Sequence, residues 1–250
     1  MAGNANVEEY LEALYKLAET GGCPVTTTQV AETVGVSPAS VSEMFRRLAD
    51  QGMVDYVPYR GACLTARGRV EGARILRNHR LWERFLVDVL GMEWDQVHEE
   101  ACRLEHATSA RVARKLSSFL DEPETCPHGY AVPAPATAEG ESNGRRAPAS
   151  PPAALLRLSE ATPGLEGQVV AIDEDPDLLR HCARVGLTPG ARFRITDRRQ
   201  IDLVVELALL DVGSRVDAAG EDPPGLGREP VPLIVGPGVG ERVLVTRHVQ

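Results

Sequence analysis

Thr26-Thr27-Thr28-Gln29-Val30-Ala31-Glu32-Thr33-Val34-Gly35-Val36-Ser37-Pro38-Ala39-Ser40-Val41-Ser42 decides the fold of the first part of this chain. The threonines offer N-caps for a short helix that runs to Val34, and Gly35-Val36 is a turn. Ser37 is the N-cap and Pro38 the first-turn residue of a second helix. That helix carries Val41, Phe45 and Leu48 on one side and reaches Gly52. Two short helices about a glycine turn make a helix-turn-helix, and the second helix is the one that enters a DNA groove. An ordinary helical hairpin has the same turn, so the flanks must decide. Met53–Val57 and Ala62–Thr65 alternate as two strands about the turn Pro58-Tyr59-Arg60-Gly61. A hairpin placed directly after a helix-turn-helix is a wing.

Charge agrees with a DNA partner for this segment. The 250-residue chain has a net charge of −9, yet residues 37 to 80 hold eight arginines against Glu43, Asp50, Asp55 and Glu71, a local +4. Charge segregated in this way marks a local phosphate-binding face rather than a general nucleic-acid coat. Small hydroxyl residues at the start of the second helix suit close approach to phosphates and base edges. The candidate DNA-contacting residues are Thr27, Ser37, Pro38, Ala39, Ser40, Ser42, Arg46, Arg47 and Arg60. Upstream, Val7 to Ala18 reads as a helix with Leu11, Leu14, Tyr15 and Ala18 on its apolar side. Glu9 and Glu12 lie three apart on the other side, where a solvated charge face is the ordinary reading.

Length suggests two domains or one domain plus a module. Aromatics are 4%, so the cores rest on Leu, Val, Ile and Ala. No apolar run reaches transmembrane length and no signal peptide is expected. Five scattered cysteines fit a reducing cytoplasm with thiols unpaired.

Downstream of the wing, Thr65-Ala66-Arg67-Gly68 opens a long helix to about Leu90, with His79 and Glu83 four apart on one face. Gly91 ends it. Asp95 caps the next helix, expected to continue to about Leu120 with Val112, Leu116 and Phe119 as an apolar stripe for a partner chain. Its first turns read His98-Glu99-Glu100-Ala101-Cys102-Arg103-Leu104-Glu105-His106. At about 100° per residue, His98, Cys102, Glu105 and His106 share one helical face. Two imidazoles, a thiol and a carboxylate on one face form a donor set for a transition metal. It is not the His-Glu-x-x-His pattern, since Cys102 stands where the second histidine would be.

Thr65–Gly68, Arg77-Asn78-His79-Arg80-Leu81-Trp82-Glu83-Arg84-Phe85-Leu86 and Val97–His106, in this order and spacing, resemble the iron-dependent repressors, the diphtheria-toxin-repressor-like family. The resemblance covers about residues 7 to 135. It implies a homodimeric winged-helix repressor that binds a palindromic operator when loaded with Fe(II) or Mn(II), at about two sites per subunit. It implies an ancillary site of His79, Glu83 and His98. It also implies a primary site of Cys102, Glu105 and His106 with Glu9 from the first helix, and Glu12 placed as in manganese-type members. Cys102 is the iron-type choice and the first-helix carboxylates the manganese-type one, so the set is a hybrid. Carboxylates suit Mn(II), a thiolate suits softer ions, and both accept Fe(II).

Seven prolines fall between residues 123 and 152, a composition that makes a tether and no core. Cys126-Pro127-His128-Gly129 reads as a turn, with metal binding as the alternative. Beyond it, strands at Gly167–Ile172, Arg192–Ile195, Val231–Val235 and Glu241–Thr246, a helix from Pro176 to Val185 and the turn Gly186-Leu187-Thr188-Pro189-Gly190 resemble the SH3-like FeoA-type module. Asp173, Glu174, Asp175 and Asp177 read as a solvated acidic loop rather than ligands.

The expected fold is mainly α: a winged helix-turn-helix, a helical dimerisation domain and a small C-terminal SH3-like β-barrel. The expected divisions are 1–70 for DNA binding, 71–135 for metal binding and dimerisation, 136–152 as linker and 153–250 as the FeoA/SH3-like module. The expected function is metal-activated transcriptional repression in the cytoplasm, with no membrane partner and no enzymatic activity. Two rivals are a metal-dependent enzyme built on the His/Cys/Glu cluster and a winged-helix regulator sensing a small organic ligand. The enzyme predicts hydrolase or oxidase activity in the metal-loaded protein, and the ligand sensor predicts DNA binding indifferent to chelators.

Overall fold

The computed structural model describes residues 2–135, 155–199, 204–211 and 232–247. The chain forms two compact units, one of Met1–Gly91, Glu99–Glu124 and Ala131–Asn143, the other of Met92–His98, Thr125–Tyr130 and Gly144–Gln250.

In the first unit the helix-turn-helix forms as its caps dictate. Helix α1 spans Ala2–Gly21, α2 Thr27–Val34 and α3 Pro38–Asp50. Thr26 caps α2 reciprocally with Gln29, and Gly35 ends it in the left-handed region at φ 76°. Ser37 caps α3 by accepting from Ser40 N–H at 3.1 Å. The wing is an antiparallel pair, β1 Val54–Val57 and β2 Gly61–Leu64. Leu11, Leu14, Val30, Val41, Phe45, Leu48, Val54 and Leu64 close over one another as its core.

Helix α4, Ala66–Asp88, starts at its Thr65 cap. It lies against α1 because Gly72 has no side chain. A Cβ there would meet Leu11 O at 2.9 Å and the Tyr15 Cβ at 3.1 Å. This close crossing sets Glu12, on the same turn of α1, towards His79 about two turns further along α4.

The cysteines depart from the expectation of unpaired thiols. Cys23 and Cys63 form a disulfide, Cα to Cα 5.6 Å. The physical reason is a bridge that spacing alone does not reveal. Val25 and Ala62 exchange two 2.9 Å backbone hydrogen bonds, which sets residues 40 apart in sequence side by side.

The helix expected from Asp95 to Leu120 is two helices, α5 Val97–Glu105 and α6 Ala110–Phe119. Thr108 and Ser109 break it. Thr108 Oγ1 donates to Leu104 O at 2.7 Å and accepts from Trp82 Nε1 at 2.7 Å, while Ser109 caps α6 through Val112 N–H. Their hydroxyls compete with the helical backbone, as short polar side chains do. His106 therefore sits in the turn that follows α5.

The second unit holds an antiparallel six-stranded sheet in the order β3-β8-β4-β5-β6-β7. Its strands are β3 Leu156–Arg157, β4 Glu166–Ile172, β5 Arg192–Arg199, β6 Val204–Asp211, β7 Pro232–Val235 and β8 Val243–Arg247. Among the described residues β3 and β7 are edges and do not pair, so the sheet is open where a barrel was expected. Strand β6 has no counterpart in the sequence reading. Helix α7, Pro176–Val185, has the expected limits, set by the Asp175 cap and Gly186 at φ 76°. Leu158, Ile172, Leu179, Leu187 and Phe193 fill this unit's core. The linker 136–152 and the Gly/Pro-rich stretch 213–230 lie outside the described residues.

Candidate metal centre

His79 is the hub of the first unit's polar interior. It is fully buried, and both ring nitrogens meet carboxylates. Nε2 donates to Glu83 Oε1 at 3.0 Å, within α4. Nδ1 lies 2.7 Å from Glu105 Oε2 at the end of α5, 3.9 Å from Glu12 Oε1 of α1 and 3.9 Å from Cys102 Sγ. His106 extends the set. Its Nε2 is 3.1 Å from Glu105 Oε1 and its Nδ1 2.7 Å from Glu8 Oε2. Lys16 Nζ is 3.1 Å from Glu12 and Arg74 is 2.7 Å from Glu8. Three helices thus deliver side chains to one point, with α1 contributing from the DNA-binding end of the chain.

The chemistry of the set fits a divalent cation. Glu12, Glu83 and Glu105 are all buried carboxylates, and buried charge is costly unless it is paired. Donor atoms of Glu12, His79 and Glu105 lie within 4.8 Å of one another. Ligands on opposite sides of one ion at about 2.2 Å stand roughly 4.4 Å apart, so a few tenths of an ångström of side-chain movement suffices. Glu83 has a different part. Accepting from Nε2–H, it would hold His79, once Nδ1 gives up its proton, in the tautomer whose Nδ1 lone pair can take a metal, as outer carboxylates do for metal-binding histidines.

Burial pushes the Glu105 carboxyl up to about 7, partly offset by its hydrogen bond to His79. Burial, the largest single effect, works against the charged form of His79, but the Glu83 carboxylate together with the hydrogen bonds to Cys102 and Glu105 outweighs it, and its pKa stands well above the ordinary value. Both groups hold protons near neutrality without metal, and both must release them to act as ligands. Protons leave on binding, so the sign is fixed: apparent affinity rises with pH and falls as pH is lowered through 7. Titrating Mn(II) between pH 6 and 8 should give about tenfold or more per pH unit on the acid side. A dissociation constant indifferent to pH would remove Glu105 and His79 from the ligand set.

The structure brings together Glu12, His79, Glu83, Cys102, Glu105 and His106. Glu9 is exposed on α1, and Glu8 is the residue beside His106. Sequence reasoning did not pick Glu8, although it sits four before Glu12, on the same helical face. His98 belongs to the second unit, where its Nδ1 is 3.3 Å from Glu174 Oε2.

That unit gathers donors of its own. Cys126, His128 and Glu174 place ligand atoms within 4.8 Å of one another. The stretch 126–129 is a turn, closed by Gly129 N–H to Cys126 O at 3.0 Å. His128 Nε2 donates to Trp94 O at 2.7 Å, which leaves the lone pair on Nδ1, the form a metal takes. Tyr130 fastens the turn to the sheet by donating to Asp173 Oδ1 at 2.8 Å. Burial and the Asp173 charge raise its phenol pKa, so this hydroxyl stays a donor at every physiological pH. Of the acidic loop, Asp175 caps α7, Asp173 and Asp175 face Arg242, and Asp177 pairs with Arg180. Glu174 is the one of the four within reach of these donors.

On the DNA-binding part, Ser37, Pro38, Ala39, Ser40, Arg46 and Arg47 are exposed along α3. Thr27 and Ser42 are half-buried, Ser42 donating to Pro38 O at 3.0 Å. Arg60 is exposed at the wing. Helix α6 turns Val112 and Phe119 outward, 45% and 66% exposed, beside Trp82, Phe85 and Leu116.

Comparison with known proteins identifies the same parts. The model of the iron dependent repressor N-terminal DNA binding domain matches residues 4–62. That of the iron dependent repressor metal binding and dimerisation domain matches 65–134, and the FeoA domain 156–216. The iron-dependent repressor IdeR of Mycobacterium leprae is 34% identical over 194 residues, 75% of this chain and 82% of that protein. The diphtheria toxin repressor of Corynebacterium efficiens is 37% identical over 126 residues, 50% of this chain and 54% of the relative. Among solved structures, a manganese-dependent transcriptional repressor in complex with manganese superposes with a TM-score of 0.79 at 30% identity, over 97% of this chain and 100% of that one. ScaR with bound Cd2+ gives 0.71 at 26% identity, over 97% and 100%.

Proposed function

The chain belongs to the iron-dependent repressor family, and on that footing we propose that it is a cytoplasmic, homodimeric regulator, not an enzyme, that binds a palindromic operator when Fe(II) or Mn(II) fills its metal centre. One observation carries the reading. Carboxylates of α1, Glu8 and Glu12, converge with His79, Glu105 and His106 of the helices behind it. Residues 1–70 would bind DNA, 71–135 hold metal and the partner, 136–152 tether, and 153–250 form the FeoA/SH3-like module. Metal sites would be two per subunit: Glu8, Glu12, His79, Cys102, Glu105 and His106 in the first unit, and Cys126, His128 and Glu174 in the second, with His98 beside Glu174.

A bound divalent ion supplies positive charge amid the buried carboxylates. Glu12 and Glu8 then hold α1 against α4 and α5, while Glu83 keeps the His79 tautomer. Fixing α1 fixes α3, which packs in the same core. Two recognition helices then sit one DNA turn apart, about 34 Å. Activation extends only as far as metal favours the DNA-competent arrangement over the others.

The test is operator binding titrated with Fe(II) under anaerobic conditions and with Mn(II), against a chelator control. DNA binding that ignores both the metals and the chelator rejects the reading. On the DNA side, Arg46→Ala and Arg47→Ala should each weaken operator binding and flatten its salt dependence by about one phosphate contact, with metal affinity unchanged. Ser37→Ala is a poorer probe, because Ser37 also caps α3.

A further inference from the structure

We infer that Tyr59, at the tip of the wing, is a DNA-contacting residue that lays its ring on a deoxyribose and donates its hydroxyl to a backbone phosphate flanking the operator's major-groove contacts. The inference rests on the regulator reading above and adds a residue that nothing in the sequence had singled out.

The local backbone is the first observation. Arg60 N–H donates to Val57 O at 3.0 Å, which closes a four-residue turn over Pro58 and Tyr59. Proline in the second position fixes a negative φ there, and Tyr59 in the third has φ 67°. That is the type II pattern, whose third position ordinarily belongs to glycine or asparagine. A bulky side chain in the left-handed region is a strained choice.

The second observation is that the fold gains nothing from the ring. Tyr59 is 106% exposed, as open as a side chain becomes, and its neighbours Val57, Pro58 and Arg60 are exposed too. An aromatic held outward at a cost in backbone strain makes sense where a partner covers it.

Position names the partner. Tyr56 of β1 packs edge-on against Phe45 of α3, ring centroids 5.3 Å apart, so the wing is fixed to the recognition helix. When α3 enters a groove the tip is carried towards the adjoining backbone, with the Arg60 cation beside it. A phenol matches that surface, since its ring covers a sugar and its hydroxyl is a phosphate donor.

The experiment uses the full, metal-loaded chain with Tyr59→Gly and Tyr59→Phe. Thermal melting is measured, as is binding to the operator and to an unrelated duplex of equal length. Tyr59→Gly relieves the strained φ and should melt about 2–4 °C higher, yet bind both duplexes about tenfold more weakly. Tyr59→Phe keeps the ring and the strain, so it should melt as wild type and lose severalfold on both duplexes. A Gly variant that melts higher and binds as wild type makes Tyr59 a strained bystander and overturns the inference. A Phe variant that binds as wild type overturns the phosphate hydrogen bond. Failure of the wild-type chain itself to bind with metal would reject the regulator reading, a result separable from both.

Discussion

His79→Ala should abolish metal-activated operator binding, with a loss of roughly 100-fold or more in metal affinity. Removal of a residue that merely orients a ligand already costs about 10- to 100-fold, and His79 is better placed than that. It lies within reach of Glu12, Glu83, Cys102 and Glu105 together. Its place in an ancillary site, which the family resemblance implied, predicts a residual response at high metal instead. The two outcomes differ in stoichiometry. Loss of the hub removes the first unit's metal and spares any bound at Cys126, His128 and Glu174. Because His79 is fully buried, alanine also strips the imidazole from among three buried carboxylates. Glu12→Gln, close to isosteric, is therefore the companion variant, and melting of both metal-free proteins separates lost ligation from lost folding. Glu8→Ala should weaken activation and Glu9→Ala should leave it near wild type. If Glu9→Ala proves the more damaging, α1 turns on activation and Glu9 replaces Glu8 at His106. If His79→Ala retains full metal and full response, the hub is structural.

The sequence specifies the winged helix closely because its signals are local. Thr26, Ser37 and Thr65 each cap the helix that follows, and Gly35 supplies a left-handed turn that few other residues adopt. Spacing also groups the histidines, Cys102 and Glu105 on one side of a helix. What local patterns do not hold is depth. The choice between Glu8 and Glu9 depends on how α1 crosses α4, and that depends on Gly72 meeting Leu11 and Tyr15 from another helix. The break after Glu105 is a contest between helix periodicity and the hydroxyls of Thr108 and Ser109, settled in part by Trp82 from α4. The Cys23–Cys63 disulfide depends on a bridge between Val25 and Ala62, a non-local pairing. Strand β6 pairs with both β5 and β7, but its run Leu207–Leu210 is continuously apolar rather than alternating, a pattern that periodicity alone does not assign to a strand.

Phe119→Arg should leave a monomer that still takes up metal and scarcely binds the operator. Helix α6 has a strongly two-sided pattern, with Ala113 and Leu116 turned inward and Val112 and Phe119 turned out. Phe119 rests against Phe85, centroids 6.1 Å apart, and Phe85 against Trp82 at 5.6 Å. Arg111 and Lys115 border this apolar face. A contiguous aromatic patch with a charged rim is the form of a protein interface rather than of an ordinary surface. A second copy is the natural occupant, since the matching family model is that of a dimerisation domain. In a two-fold interface each patch meets itself or its neighbour, so one substitution enters twice. Arginine at 119 removes both rings from the seam and adds two cations to a rim that already carries Arg111 and Lys115. The first unit's metal donors stand on α1, on α4 at His79, on α5 and in the turn after it at His106, and none is on α6, so metal uptake should survive. Operator binding should not, because a dimer engages its second half-site as an intramolecular event. Losing that linkage typically costs 10²- to 10⁴-fold in apparent affinity. Sedimentation of the metal-loaded variant, with binding to a full operator and to a single half-site, separates the effects. The expected result is a monomer whose half-site affinity matches wild type and whose full-site advantage is gone. A variant that sediments as a dimer moves the interface elsewhere, and a monomer that keeps the full-site advantage detaches operator recognition from dimerisation.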